Sequence, residues 1–203
     1  MRVFVATPPK NQTGELQRLT LLFKIGLSTL HVRKPKLSAA EVDDYISSIP
    51  SKYHSRIIVH GNYPLVKKYG LKGYCIKRRH RSDKRKNLFQ RLILRIRYPK
   101  KVVCASFKSI HSFRDSRKST FDYVVLSNLM SIIPGKNLSV NNVKMINATI
   151  GKCEVPVLAQ GGIDSSIAEQ LKQAGFEGVI LTSSVFETDE EKCVEEYTTF
   201  LNL

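Results

Sequence analysis

Short apolar runs recur along the 203-residue chain, each closed by glycine, proline or a polar cluster and followed by a stretch with apolar positions at helical spacing. Arg2 to Thr7 reads as a strand ended by Pro8–Pro9, and Thr13 to Phe23 as a helix with Leu16, Leu19, Leu22 and Phe23 on one face. Gly26 stops it, and Leu27 to Arg33 reads as a second strand. Ser38 with Glu41 three residues on is a capping-box signature for a helix over Ala39 to Ile49. The alternation continues with strand Arg56 to His60, helix Pro64 to Tyr69, strand Gly73 to Ile76 and helix Leu88 to Arg97 before Pro99. Then come strand Lys101 to Ala105, helix Ile110 to Arg117, strand Phe121 to Leu126 and, past Pro134–Gly135, helix Val140 to Ile150.

The last third of the chain carries the densest pattern. Val155 to Ala159 is a buried-type strand broken by Gly161–Gly162, and Asp164 or Ser165 caps a helix with Ile167, Ala168, Leu171 and Ala174 at helical spacing. Gly175 ends it, Gly178 to Leu181 is the eighth strand, and a helix from Glu190 to Leu201 opens on an acidic turn that suits the helix dipole. Eight strand–helix alternations predict an α/β fold, a compact (β/α)8 TIM barrel forming a single domain over residues 1–203.

In such a barrel the chemistry sits at the C-terminal strand ends. Strand two delivers His31 and Arg33 on one face, strand three His60, strand four Cys75 and Lys77 with His80 beyond, and strand five Cys104 and Ser106. Strand six gives Ser127 and Asn128, with Lys136 in the loop after it; strands seven and eight give Gln160, Gly161, Gly162, Thr182 and Ser183. Gly161 and Gly162 let backbone N–H groups approach an anion, and Thr182, Ser183 and Ser184 add donors, so a phosphate site is expected there. Arg33 and Lys136 are the cations placed to meet a phosphate. His31 and His60 are candidate acid–base groups, since imidazole titrates near neutrality; a metal site from His31, His60 and His80 is the weaker alternative. Carboxylates are missing from these ends: Asp122 opens strand six at the opposite rim, and Asp164 is a helix cap. A magnesium–diphosphate site, which needs acidic ligands, is not evident.

The net charge of +16 adds one question, because much of it lies between Lys77 and Lys101. With only Phe89 and Tyr98 as aromatics there, a base-stacking platform is not apparent. A solvated basic face that steers a phosphorylated substrate is favoured, with nucleic-acid binding as the minority reading. The N-terminal apolar run is too short for a signal peptide and no stretch could span a membrane. Cys75, Cys104, Cys153 and Cys193 are widely spaced and read as buried thiols of a cytoplasmic protein.

Six segments, in order, resemble the thiamine phosphate synthase/TenI family: LHVRKP, IIVHGNYPLVKKYGLKGYCI, VVCASFKSIHSF, FDYVVLSNL, VPVLAQGGID and GFEGVILTSSVF. The resemblance implies a (β/α)8 barrel, often oligomeric, with a cradle for a thiazole phosphate on Gly161, Gly162, Thr182 and Ser183. It also matches Ser106 to a serine facing the pyrimidine, Lys136 to the lysine of the strand-six loop, and Arg33 to the arginine after strand two. The synthases' Gln-x-Arg-Glu-Lys pattern reads His31-Val32-Arg33-Lys34-Pro35 here, their Asn-Asp pair reads His60-Gly61, and their second magnesium-binding aspartate aligns with His80. Mg2+ and a pyrimidine pyrophosphate are therefore implied only if the chain is a synthase. The TenI-type thiazole tautomerases are similar to this chain at those places, having His-x-Arg after strand two and a glycine for the aspartate. Their histidine after strand six aligns with Asn128, an amide that cannot shuttle protons, which leaves His31 or His60 for that work. A thiazole tautomerase is the expected activity; a thiamine phosphate synthase, a non-catalytic ligand-binding barrel and a nucleic-acid binder are the alternatives.

Overall fold

The computed structural model describes residues 1–76, 92–109, 121–133 and 138–202. Eight parallel strands close a barrel in sequence order, each pairing with the next and β8 returning to β1. They are β1 (Arg2–Ala6), β2 (Leu30–Val32), β3 (Ile57–His60), β4 (Gly73–Ile76), β5 (Val102–Phe107), β6 (Tyr123–Leu126), β7 (Val157–Gln160) and β8 (Gly178–Leu181). The expected (β/α)8 barrel is thus observed.

Helices Glu15–Lys24, Ala39–Ser47, Pro64–Lys68, Val140–Ile150, Ala168–Gln173 and Glu190–Leu201 wrap the sheet, and residues 92–97 are helical as well. Ser38 and Glu41 make the reciprocal capping box that their spacing predicts. Asp164 caps a short 3-10 turn, Ser165–Ile167, ahead of the helix proper. Two short helices went unread in the sequence, Leu129–Ile132 and Ser183–Phe186, each too brief to show a period. The helix expected over Ile110 to Arg117 lies outside the described residues, as does the start of the one expected from Leu88.

The period-two alternation of each strand sorts side chains into two shells. One shell packs between sheet and helices, with Val5, Leu30, Val59, Tyr74, Val103, Val124, Ala159 and Val179 among it. The other fills the barrel: Phe4, Ala6, Ile58, Cys75, Cys104, Tyr123, Val125, Leu158 and Ile180. At the lower rim, Asp122 accepts a bond from the Val103 N–H at 2.7 Å and pairs with Arg95 at 3.2 Å, a structural task far from the mouth. None of the described helices is long and apolar enough to cross a membrane.

Candidate functional site

The register that sends Ile58, Cys104 and Leu158 inward carries His60, Ser106 and Gln160, two positions on, to the C-terminal mouth. His31 lies one layer deeper and is fully buried. Both of its ring nitrogens are engaged: Nδ1 lies 3.0 Å from His60 Nε2, and Nε2 lies 2.7 Å from the Tyr123 hydroxyl. Phe4 stacks beside it, with ring centroids 6.1 Å apart. Burial pushes the His31 pKa well below the ordinary imidazole value, and the nearby His60 and Lys72 push the same way. The ring is therefore neutral, and of the two histidines singled out only half-buried His60 can meet a ligand. Tyr123 is the partner that sequence reading missed. Its phenol is held protonated by burial, with the Cys104 thiol against it.

Arg33 stands just past β2, where its backbone N–H donates to Thr7 Oγ1 at 2.9 Å and so ties the ends of β1 and β2 together. Lys34 turns inward and is fully buried as a side chain, its Nζ 2.7 and 2.8 Å from the two oxygens of buried Glu15 and 3.2 Å from the Lys10 carbonyl. The Tyr45 hydroxyl and the Gln12 N–H also donate to Glu15. This buried cluster pins the β1 loop and the β2 loop to one another.

Those pinned loops form one wall of a cleft of about 290 Å³ lined by Pro8, Lys10, Gln12 and Lys36 on one side and Thr182, Ser183 and Glu187 on the other. Lys10 and Lys36 were not singled out in the sequence; both lie within four residues of a strand end, which is the signal that could have found them. Thr182 Oγ1 and Ser184 Oγ are buried without a protein partner, an arrangement that costs stability unless a ligand or water supplies the bond. Gly161 and Gly162, with φ of 103° and 68°, bend the chain after β7 toward the loop that follows β6. A Cβ on Gly161 would stand 2.7 Å from Asn128 Cα, so that glycine is required by the packing of the two loops whatever binds. Asn128 itself sits in a left-handed turn (φ 59°) ahead of Leu129–Ile132. The structure thus gathers Thr182 and Ser183 on the cleft, and groups Gly161, Gly162 and Asn128 beside them. Lys136, His80 and most of the basic stretch, through Arg91, lie outside the described residues.

Around His60 the neighbouring strand ends supply Gly61, Asn62 and Ser106, without a carboxylate, and Glu15 is consumed by Lys34. Among the described residues there is no group of three His, Cys, Asp or Glu side chains able to hold a metal ion. Mg2+ with a diphosphate wants several hard anionic oxygens; the described strand ends around His60 supply none and the cleft has Glu187 alone, so the described donors do not make a set that fits it. A larger cavity, about 480 Å³, opens at the opposite end of the barrel, lined by Arg2, Phe4, Lys72, Asp122 and Tyr197 among others. It is remote from the strand C-termini, where barrel chemistry is built.

The family described as thiamine monophosphate synthase, TMP-TENI, matches residues 3–185. The chain belongs to that family. The thiamine-phosphate synthase of Clostridium tetani is 20% identical over 181 residues, 87% of this chain and 83% of that one. A thiamine phosphate pyrophosphorylase from Bacteroides thetaiotaomicron superposes with a TM-score of 0.74 at 23% identity, covering 100% of this chain and 96% of the other. One from Pyrococcus furiosus gives 0.74 at 12% identity, covering 99% and 94%. At such identities the structural likeness shows the barrel alone, while the sequence match shows the thiamine monophosphate synthase family and with it a place in thiamine biosynthesis.

Proposed function

We propose that this chain binds a thiazole phosphate at the C-terminal mouth and acts on it as a TenI-type thiazole tautomerase. One observation carries the binding half: the buried, unpartnered hydroxyl Thr182 Oγ1 belongs to a residue lining a cleft flanked by Lys10 and Lys36, and Ser184 Oγ, two residues on, is likewise buried without a partner. Such groups want an acceptor rich in oxygen, and a phosphate offers it. The tautomerase half is supported by His60. It stands at the mouth with its Nε2 on His31, and the described positions around it lack the acidic oxygens a magnesium diphosphate would need. The thiazole ring lies toward His60 and Ser106 in this reading, with its phosphate toward Thr182 and Ser183 and Arg33 between the two ends. His60 exchanges the proton that the tautomerisation moves. The free thiols Cys75, Cys104, Cys153 and Cys193 favour a reducing compartment, the cytoplasm.

A second reading, thiamine phosphate synthase, is favoured by the names of the relatives. Incubating the protein with the thiazole tautomer phosphate and following the ring proton by NMR separates the two. Conversion that drops roughly 100-fold or more in His60→Ala is the expected result, since a positioned acid–base group contributes about 10²–10⁴ in rate. No conversion, together with thiamine phosphate formed from pyrimidine pyrophosphate, thiazole phosphate and Mg2+, would put the synthase in its place.

A further inference from the structure

We infer that Tyr123 is a positioning residue: acting through His31, it fixes the proton of His60 on Nδ1, so that the resting mouth presents an N–H to the ligand and not a lone pair. This rests on the reading above that His60 meets the ligand, and it says which way the proton moves first.

The three side chains form a line through the barrel core, Tyr123 Oη to His31 Nε2 at 2.7 Å and His31 Nδ1 to His60 Nε2 at 3.0 Å. A line of this kind has two polarities. In one, Tyr123 O–H donates to His31 Nε2, His31 Nδ1–H donates to His60 Nε2, and His60 keeps its proton on Nδ1. In the other every bond is reversed, and the Tyr123 hydroxyl must find an acceptor elsewhere.

The surroundings of Tyr123 choose between them. Its hydroxyl bonds the His31 ring and meets the Cys104 thiol, with the Cys75 thiol next to that. A bare imidazole nitrogen is a strong acceptor, whereas thiol sulfur is a weak one, so the phenol proton goes to His31. Beyond these thiols the described enclosure is apolar, with Phe4, Ala6, Ile58, Val125 and Leu158 around the pair, and none of these side chains offers a better bond. Burial favours the neutral form of Tyr123 and of His31, which keeps the phenol a donor and His31 a neutral ring with one proton. One tautomer then dictates the next, as hydrogen-bonded second partners do for histidines generally.

His60 Nε2 is occupied in this polarity, so its only contact for a ligand is Nδ1–H. The ligand must therefore bring an acceptor to that point, a carboxylate oxygen or a bare ring nitrogen. Delivery precedes abstraction: Nδ1–H goes to the ligand atom that gains a proton while the Nδ1 proton of His31 leans toward His60 Nε2 and the phenol proton toward His31. The ligand's other proton then returns to the same Nδ1. Nothing is gained or lost by the protein over the cycle.

The test uses the full chain with 15N-labelled histidine and no ligand, so it does not depend on the thiazole reading. Long-range 1H–15N spectra distinguish a protonated ring nitrogen from a bare one. The expected wild-type spectrum has both His31 and His60 with protonated Nδ1 and bare Nε2. In Tyr123→Phe, which keeps the ring and deletes the donor, the His60 nitrogens shift toward averaged values, because the tautomer is no longer imposed. Protonated Nε2 on His60 in the wild type, or His60 signals unmoved in a folded Tyr123→Phe, would overturn the inference; if that variant does not fold, the wild-type spectrum decides alone. A turnover arm reads the function: kcat falls at least tenfold in Tyr123→Phe with KM within twofold, and the acid limb of its pH profile moves. A correct tautomer pattern with no turnover by the wild type would count against the tautomerase and leave the relay standing.

Discussion

Replacing Lys34 with methionine removes the ammonium from a buried cluster and leaves the Glu15 carboxylate behind. The side chains of Lys34 and Glu15 are 0% and 3% exposed, so water cannot take the place of the lost charge. Removing one partner of a buried pair costs about 3–5 kcal/mol. Glu15 keeps two donors, the Tyr45 hydroxyl and the Gln12 N–H, which places this case near the lower end, at about 3 kcal/mol. For a domain of this size that is a fall in Tm of roughly 6–12 °C. Urea denaturation of Lys34→Met should show a lower midpoint with an unchanged m value. The double variant Glu15→Gln, Lys34→Met should regain much of the loss, since it no longer strands a charge. The exposed pair Arg2–Glu177, at 3.7 Å and about half exposed on each side, is the control: Glu177→Ala should cost no more than about 1 kcal/mol. A Lys34→Met loss as small as the control's would refute the buried-cluster reasoning.

Thr182→Val removes a buried hydroxyl without a partner, so its stability should match or slightly exceed wild type, while its affinity for a thiazole phosphate falls roughly tenfold or more by calorimetry. Gly161→Ala puts a Cβ 2.7 Å from Asn128 Cα at a φ of 103°, and thermal denaturation should show a loss above about 1 kcal/mol. His31 has a folded pKa below its unfolded value of about 6.5, so the unfolded chain binds the proton more tightly. Its contribution is complete above about pH 6.5 and is lost as pH falls from there toward the folded value; a Tm series should slope downward in that window, and less steeply in His31→Gln.

The barrel was legible because strands buried on both faces read as unbroken apolar runs, and Gly26, Gly70, Gly161 and Gly175 mark where the chain turns. The mouth was legible to the same extent, since alternation from Ile58 to His60 or from Cys104 to Ser106 needs no tertiary knowledge. What joins strands across the interior was not. Tyr123 lies 92 residues from His31, and only the closure of the sheet brings them into contact; the visible sign was a polar ring at the inward position of an otherwise aliphatic β6. Lys34 had no role of its own in the sequence pattern, but it answers Glu15 on the neighbouring loop, a pairing no local pattern announces. Lys10 and Lys36 were likewise hidden among 33 basic residues until the cleft set them opposite Thr182.

The most direct measurement for the central claim is calorimetric titration of the purified protein with the thiazole phosphate carboxylate, with and without Mg2+, followed by the pyrimidine pyrophosphate under the same two conditions. Saturable binding of the thiazole phosphate that is indifferent to Mg2+ and is weakened in Thr182→Val is the expected result. Binding of the pyrophosphate that requires Mg2+, with none of the thiazole phosphate alone, would contradict it.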